Sequence, residues 1–252
     1  MVKIAVNGAA GRMGNRILAL AETAKEFETV GAFDGNKKFS KLSAGALAQK
    51  GRGVLIDFSS PIGTKAALEA ALEAKWSLVV GTTGLDEKVS ALLKKASKEI
   101  ALVVSSNMSV GVNAMLELTA LLARKLPQDF DIEITEAHHR HKKDAPSGTA
   151  LMLAKAIAQS KHWDLKKALK YRVAGKSDRE RSGEEIGMQV VRAGEIVGDH
   201  TVLFAGPAET IEIIHRAQSR DTFARGVLLA AQFVSKKVHG FYSMQDVLAV
   251  KN

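Results

Sequence analysis

The chain has 252 residues, 46% apolar and 25% charged, with 36 Lys and Arg against 27 Asp and Glu and no cysteine. That length holds one large domain or two modest ones, and the absence of cysteine excludes a disulfide framework, a thiolate nucleophile and a Cys-ligated metal. The net charge of +9 favours anionic partners, but aromatics are only 5% and the basic residues are scattered, which argues against a base-stacking nucleic-acid surface.

The opening MVKIAVNGAAGRMG lacks the apolar core of a signal peptide, and no apolar run approaches membrane-spanning length. A cytoplasmic protein with no membrane partner is expected. KIAVNG reads as a strand, RMGNRILALAETA as a helix and TVGAFD as a second strand. GVLIDFS, SLVVGTT and IALVVSSN follow as strands, with KAALEAALEA and KVSALLKKASKE as helices between them. Near-continuous apolar strands alternating with helices indicate a parallel sheet covered on both faces.

After SSNMSVGVN the pattern changes. The long helix NAMLELTALLARKL leads into FDIEITEA, where Ile132 and Ile134 alternate with Glu133 and Thr135. EIGMQVVRAGEIVGDHTVLFAG and ETIEIIHRAQS then read as alternating strands separated by glycine turns, as in an antiparallel sheet, before the helical DTFARGVLLAAQFVSKK. The boundary falls near Ser109, dividing the chain into 1–109 with 219–252, and 110–218.

GAAGRMG, with Gly8, Gly11 and Gly14 around Ala9, Ala10, Arg12 and Met13, lies between the first strand and the first helix. Glycines there permit a tight turn and let backbone approach a pyrophosphate resting on the helix N-terminus. Asp34 ends the second strand about 20 residues beyond Gly14, where an acid binds ribose hydroxyls; a plain strand-end turn residue is the alternative. The acid favours NADH, because it repels a 2′-phosphate, while Lys37 and Lys38 offset that repulsion, so NADH and NADPH both stay open. The turns GTTG (Gly81, Thr82, Thr83, Gly84) and SSNMS (Ser105, Ser106, Asn107, Met108, Ser109) close apolar strands where a ligand crevice forms. The expected class is therefore α/β: a Rossmann-like parallel-sheet dinucleotide-binding domain plus an α+β domain with a mainly antiparallel sheet.

EAHHRHKKDAPSGTA, residues 136–150, concentrates titratable groups before a helix start. Extended, it would carry His138, Arg140 and Lys142 on one face and His139, His141 and Lys143 on the other. Three uses compete: a solvated basic loop, a metal site, and a pocket for an anionic small molecule. Metal is disfavoured by the neighbouring cations and the lack of a completing ligand set. In the pocket reading, Pro146 sits in the first helical turn, Ser147 or Thr149 caps it, and the N–H groups of Gly148 and Thr149 grip a carboxylate. Histidines and a lysine add charge and protons.

This segment resembles the E-x-H-H-x-x-K-x-D-x-P-S-G-T-A signature of the dihydrodipicolinate reductases, and VNGAAGRMG, IDFSSPIGT, VVGTTG, SSNMSVGVN, VRAGEIVGDHT and SRDTFARG resemble that family's blocks in the same order. The resemblance implies NADH- or NADPH-dependent reduction of a cyclic unsaturated dicarboxylate to tetrahydrodipicolinate in lysine biosynthesis. It makes His138 the proton donor or acceptor and Lys142 the proton donor. His139 and Ser147 join Gly148 and Thr149 at the substrate, and the cofactor contacts run over Gly8–Gly14, Asp34, Gly81–Thr83 and Ser105–Met108. Residues 1–109 with 219–252 become the cofactor domain and 110–218 the substrate and oligomerisation domain. A homotetramer built through the strands from Gly187 to Gly206 is implied, with no metal. Two positions depart from the family: Gly35 stands where many members have arginine, and Met108 where many have phenylalanine.

Overall fold

The structure, a computed structural model, describes residues 1–35, 39–172 and 181–249. In chain order the elements are β1 (Val2–Asn7), α1 (Arg12–Thr23), β2 (Phe27–Phe33), α2 (Ala44–Ala48), β3 (Val54–Asp57), α3 (Pro61–Ala74), β4 (Ser77–Val80), α4 (Glu87–Ala96) and β5 (Ala101–Val104). They continue with α5 (Val110–Lys125), β6 (Asp131–His138), α6 (Gly148–Lys161), α7 (Leu165–Ala168), β7 (Leu169–Tyr171), β8 (Ile186–Arg192), β9 (Asp199–Ala205) and β10 (Thr210–Arg216). α8 (Asp221–Ser235), β11 (Gly240–Tyr242) and α9 (Met244–Leu248) complete them. The chain divides into two compact units, Met1–Val110 with Arg220–Asn252, and Gly111–Ser219.

The first unit is built on a parallel sheet in the order β11-β5-β4-β3-β1-β2. Because side chains alternate across a strand, its apolar runs feed two cores at once. Ile4, Val6, Val54, Ile56 and Val103 pack on one face with Val227, Ala231 and Val234 of α8. Ala5, Leu55, Leu78, Val80 and Leu102 pack on the other with Ala67, Leu93 and the fully buried Trp76. The chain leaves β1 for β2 on one side and returns to β3 on the other, so the β1–β3 boundary is a topological switch point, where the carboxyl ends of strands leave a crevice. The short β11 extends the sheet beyond β5 and was not evident from the sequence pattern.

The second unit carries a sheet in the order β10-β9-β6-β8-β7. Its buried face presents Ile132, Ile134, Val202 and Phe204 to α6, whose Leu153, Ala154 and Ile157 are fully buried. The expectation of a mainly antiparallel sheet is corrected here: β6–β9 and β9–β10 pair antiparallel, but β6–β8 and β7–β8 pair parallel, so the sheet is mixed. The glycine-containing turn after β8 does not close a hairpin with β9. β6 inserts between them, and the Ala193 N–H donates to His138 O while the Arg140 N–H donates to Gly194 O across the gap. No helix among the described residues is long and apolar enough to cross a membrane.

A close approach fixes α8 on the first sheet. A Cβ added to Gly226 would stand 1.7 Å from the Met108 carbonyl oxygen, a backbone atom that cannot swing aside. Gly226→Ala is therefore expected to destabilise the protein by about 1–3 kcal/mol through overpacking. Urea unfolding measures this, and an unchanged midpoint would show that the helix and the carbonyl are not in contact.

Candidate active site

In the first unit the predicted glycine loop is shaped by contacts that leave no room for side chains. Gly8 has φ +84°, and a Cβ there would lie 2.2 Å from the Phe58 carbonyl oxygen. A Cβ on Gly14 would lie 2.2 Å from the Gly8 oxygen, and one on Gly81 would strike the Phe58 ring. The amides of Gly8 and the buried Ala9 donate to Phe33 O, and the Ala10 amide donates to Asp34 Oδ2 at 3.0 Å. The acid predicted at the second strand end thus reaches back onto the glycine loop. α1 begins at Arg12 with Gly11 as its cap and no capping side chain, so its first N–H groups are open to an anion.

Two cavities share Gly11, Phe58 and Ser59. One, about 460 Å³, is lined by Arg12, Met13, the Gly81–Thr83 turn and Ser106–Met108, together with Arg220 and Phe223. The other, about 430 Å³, is lined by Gly8, Asp34 and Gly35. A slot bounded by the amides at the start of α1 and by Gly8 and Gly81, where no side chain fits, suits a dinucleotide. Of the predicted contacts, Ala9, Ala10, Gly14 and Ser105 line neither cavity; Ala9 is fully buried, and the Ser105 hydroxyl turns into its own loop and donates to Asn107 O at 2.7 Å. Lys37 and Lys38 lie outside the described residues.

Beneath this crevice sits a group the sequence reading missed. The fully buried Asp57 accepts from Asn7 Nδ2 (2.8 Å), Ser59 Oγ (2.5 Å), Thr64 Oγ1 (2.5 Å) and Thr82 Oγ1 (2.7 Å). Its donors come from the ends of β1, β3 and β4 and from α3, so one carboxylate ties the crevice floor together.

In the second unit, the cationic segment is not extended past β6. The Lys142 N–H donates to His139 O at 3.1 Å, closing a turn over His139–Lys142, so the expected alternation of side chains from 138 to 143 does not form. His138 is the last residue of β6 and lies on its buried face with Ile132, Ile134 and Glu136. Glu136 is fully buried. Arg192 holds both of its oxygens, Nη1 to Oε2 at 2.9 Å and Nη2 to Oε1 at 2.8 Å. The Ser147 amide donates to Oε1 at 3.1 Å, and His138 Nδ1 lies 2.5 Å from Oε2. Burial pushes Glu136 up, but the hydrogen bonds from Arg192, His138 and Ser147 outweigh it and hold the carboxyl below its usual range. His138 is pushed down, by burial first, with Glu136 opposing and the charges of Lys142 and Arg192 adding to the fall.

Ser147 caps α6, its hydroxyl accepting from the Ala150 N–H, so Pro146 precedes the cap rather than occupying the first turn. Gly148 and Thr149 supply the first two N–H groups of the helix. Lys142 pairs with Asp144 at 2.9 Å and is half-buried. His139 is also half-buried, and its Nδ1 lacks a partner among the described residues. Cross-strand register sets His215, His200 and Glu136 in one row, and the rings of His138 and His200 meet edge-on at 5.2 Å. Glu136, Arg192 and His200 were not singled out from sequence. Arg192 lies 56 positions from Glu136, and only strand pairing joins them.

Residues 2–108 match the family model described as dihydrodipicolinate reductase, N-terminus, and residues 111–248 the one described as dihydrodipicolinate reductase, C-terminus. A 4-hydroxy-tetrahydrodipicolinate reductase of Burkholderia thailandensis is 45% identical over 267 aligned residues, covering 99% of each chain. One from Burkholderia pseudomallei is 45% identical and is covered in full. A dipicolinate-bound dihydrodipicolinate reductase from Paenisporosarcina sp. TG-14 has the same fold, with a TM-score of 0.77 over 96% of this chain and 97% of that one, at 22% identity.

The buried histidine makes stability depend on pH. His200 is pushed down to about 4, chiefly by burial, whereas its ordinary value is 6.5. Between those values the unfolded chain binds more protons than the folded one, so stability falls as pH drops through the window, by up to about 3 kcal/mol. His200→Gln is expected to flatten that slope, as read from denaturant midpoints above and inside the window. An unchanged slope would place the titrating group elsewhere.

Proposed function

The chain belongs to the dihydrodipicolinate reductase family, and we propose that it reduces 4-hydroxy-tetrahydrodipicolinate, or its dehydrated form dihydrodipicolinate, to tetrahydrodipicolinate in lysine and diaminopimelate biosynthesis. It is an NAD(P)H-dependent oxidoreductase. The observation that carries the reading is the gathering, in one unit, of a buried His138–Glu136 pair, the Lys142 side chain and the N-terminus of α6. That set suits an anionic ring which must be held by its carboxylates and protonated.

Reduced nicotinamide, when bound, supplies the hydride. Gly8–Gly14 would hold its pyrophosphate on the N-terminus of α1, Asp34 would meet the adenosine ribose, and Gly81–Thr83 with Ser106–Met108 would face the nicotinamide half, Ser105 shaping the latter turn. The Gly148 and Thr149 amides, with His139 and the cap residue Ser147 beside them, take a substrate carboxylate, as an anion at a helix N-terminus gains from backbone N–H groups and the dipole. Lys142 donates a proton and offsets negative charge as the ring is reduced, and His138 donates or accepts a proton beside it. Asp34 and Gly35 border the same cavity, so among the described residues there a 2′-phosphate would meet a carboxylate and no arginine, which favours NADH, with Lys37 and Lys38 as the counterweight in the sequence. Assembly as a cytoplasmic homotetramer through the second sheet belongs to the same proposal, supported by exposed Val190 and Val191 on β8 and Ile214 on β10.

The direct test is loss of nicotinamide absorbance, with substrate generated in situ from pyruvate and aspartate semialdehyde by the preceding synthase, using NADH and NADPH in parallel. Turnover with higher kcat/KM for NADH is expected. Absence of turnover with either, in folded protein that binds cofactor, would overturn the assignment. Lys142→Ala should lower kcat by roughly 10²- to 10⁴-fold while cofactor affinity persists; joint loss of both would show that the two roles share a site. Asp34→Ala should weaken NADH more than NADPH, and equal effects would remove Asp34 from ribose recognition.

A further inference from the structure

A buried carboxylate has four lone-pair positions and no proton to give when ionised. On Glu136 three are filled by groups that only donate: two N–H groups of Arg192 and the amide of Ser147. The fourth faces His138 Nδ1 at 2.5 Å, and that contact is favourable only if Nδ1 carries a hydrogen. We propose that Glu136 is a positioning residue that fixes His138 as the Nδ1–H tautomer, so that Nε2 alone exchanges a proton with substrate, and that through Ser147 it sets this histidine against the carboxylate-binding start of α6. This rests on the assignment of His138 to proton transfer.

Arg192 is what keeps the arrangement one-way. Its guanidinium grips both carboxylate oxygens and also donates to Asp144 O at 2.6 Å, anchoring the segment between β6 and α6. A carboxylate so paired does not take the Nδ1 proton, so when Nε2 releases its proton to substrate the imidazolium becomes neutral imidazole with the Nδ1 proton in place. Space is kept on the Nε2 side, where a Cβ on Gly198 would stand 3.0 Å from that nitrogen. A purely structural Glu136–Arg192 pair would explain neither the histidine on the remaining lone pair nor the amide of the helix cap on the same carboxylate. Buried ion pairs are in any case weak evidence for stability.

In Glu136→Gln the carbonyl oxygen stays where two donors meet it, the Ser147 amide and Arg192 Nη2, which turns the amide NH₂ toward His138 Nδ1 and leaves Arg192 Nη1 with its bond to Val191 O alone. The histidine must then accept at Nδ1 and carry its hydrogen on Nε2. Long-range ¹H–¹⁵N correlation of histidine-labelled protein reads this directly, with His138→Gln assigning the resonance. The expected result is pyrrole-type Nδ1 and pyridine-type Nε2 in the unaltered protein, reversal in Glu136→Gln, and a kcat loss on the order of 10²-fold with cofactor affinity unchanged. An Nε2–H tautomer in the unaltered protein overturns the proposal even if the variant does not fold, and so does a variant whose tautomer or kcat is unchanged. Full turnover by His138→Gln would instead remove the parent assignment, an outcome distinguishable because the tautomer of the unaltered protein is read without turnover.

Discussion

A carboxylate withdrawn from water must have its lone pairs filled by donors, and each unit of this protein is organised around one that is. An unpaired buried charge costs several kcal/mol, while each hydrogen bond to a charged group returns about 1.5–3 kcal/mol. Asp57 meets the demand with one amide and three hydroxyl donors, and Glu136 with an arginine, a histidine and a helix-start amide. Both solutions recruit donors from several elements, so the requirement of a single side chain fixes where strand ends, turns and helix starts stand.

The two carboxylates differ in their surroundings, and the difference matches the work proposed for each unit. Asp57 has neutral hydroxyl and amide partners, which suits a rigid floor under a crevice whose walls are glycines and backbone. Glu136 sits among cations and histidines, where proton positions matter. Burial depresses His138 and His200, keeping them neutral until a charged partner arrives. The anionic ring of the proposed substrate would be such a partner.

Strand order does the rest. Placing β6 between β8 and β9 turns two sequence-distant strands into its neighbours and brings Arg192 to one side of the β6 end and His200 to the other. A hairpin of β8 with β9, the simplest reading of the glycine turn, would have left Glu136 buried without its cation. The mixed sheet and the charged cluster are therefore one structural fact.

Much was legible in the sequence because its signals are local. Continuous apolar strands alternating with helices specified the parallel sheet, and GAAGRMG specified a loop where Gly8 and Gly14 touch backbone. The SGTA run specified the start of α6, and the cap is one of the two serine or threonine positions read there. Not legible were the turn that breaks the 138–143 alternation, the parallel pairing of β8 with β6, and the partners of Glu136 and Asp57. Each depends on residues far apart in the chain. A sequence states which groups are adjacent along the backbone and which face of an element they occupy. Only tertiary structure decides which distant donors fill a buried acceptor, because that choice is made by strand register and packing rather than by propensity.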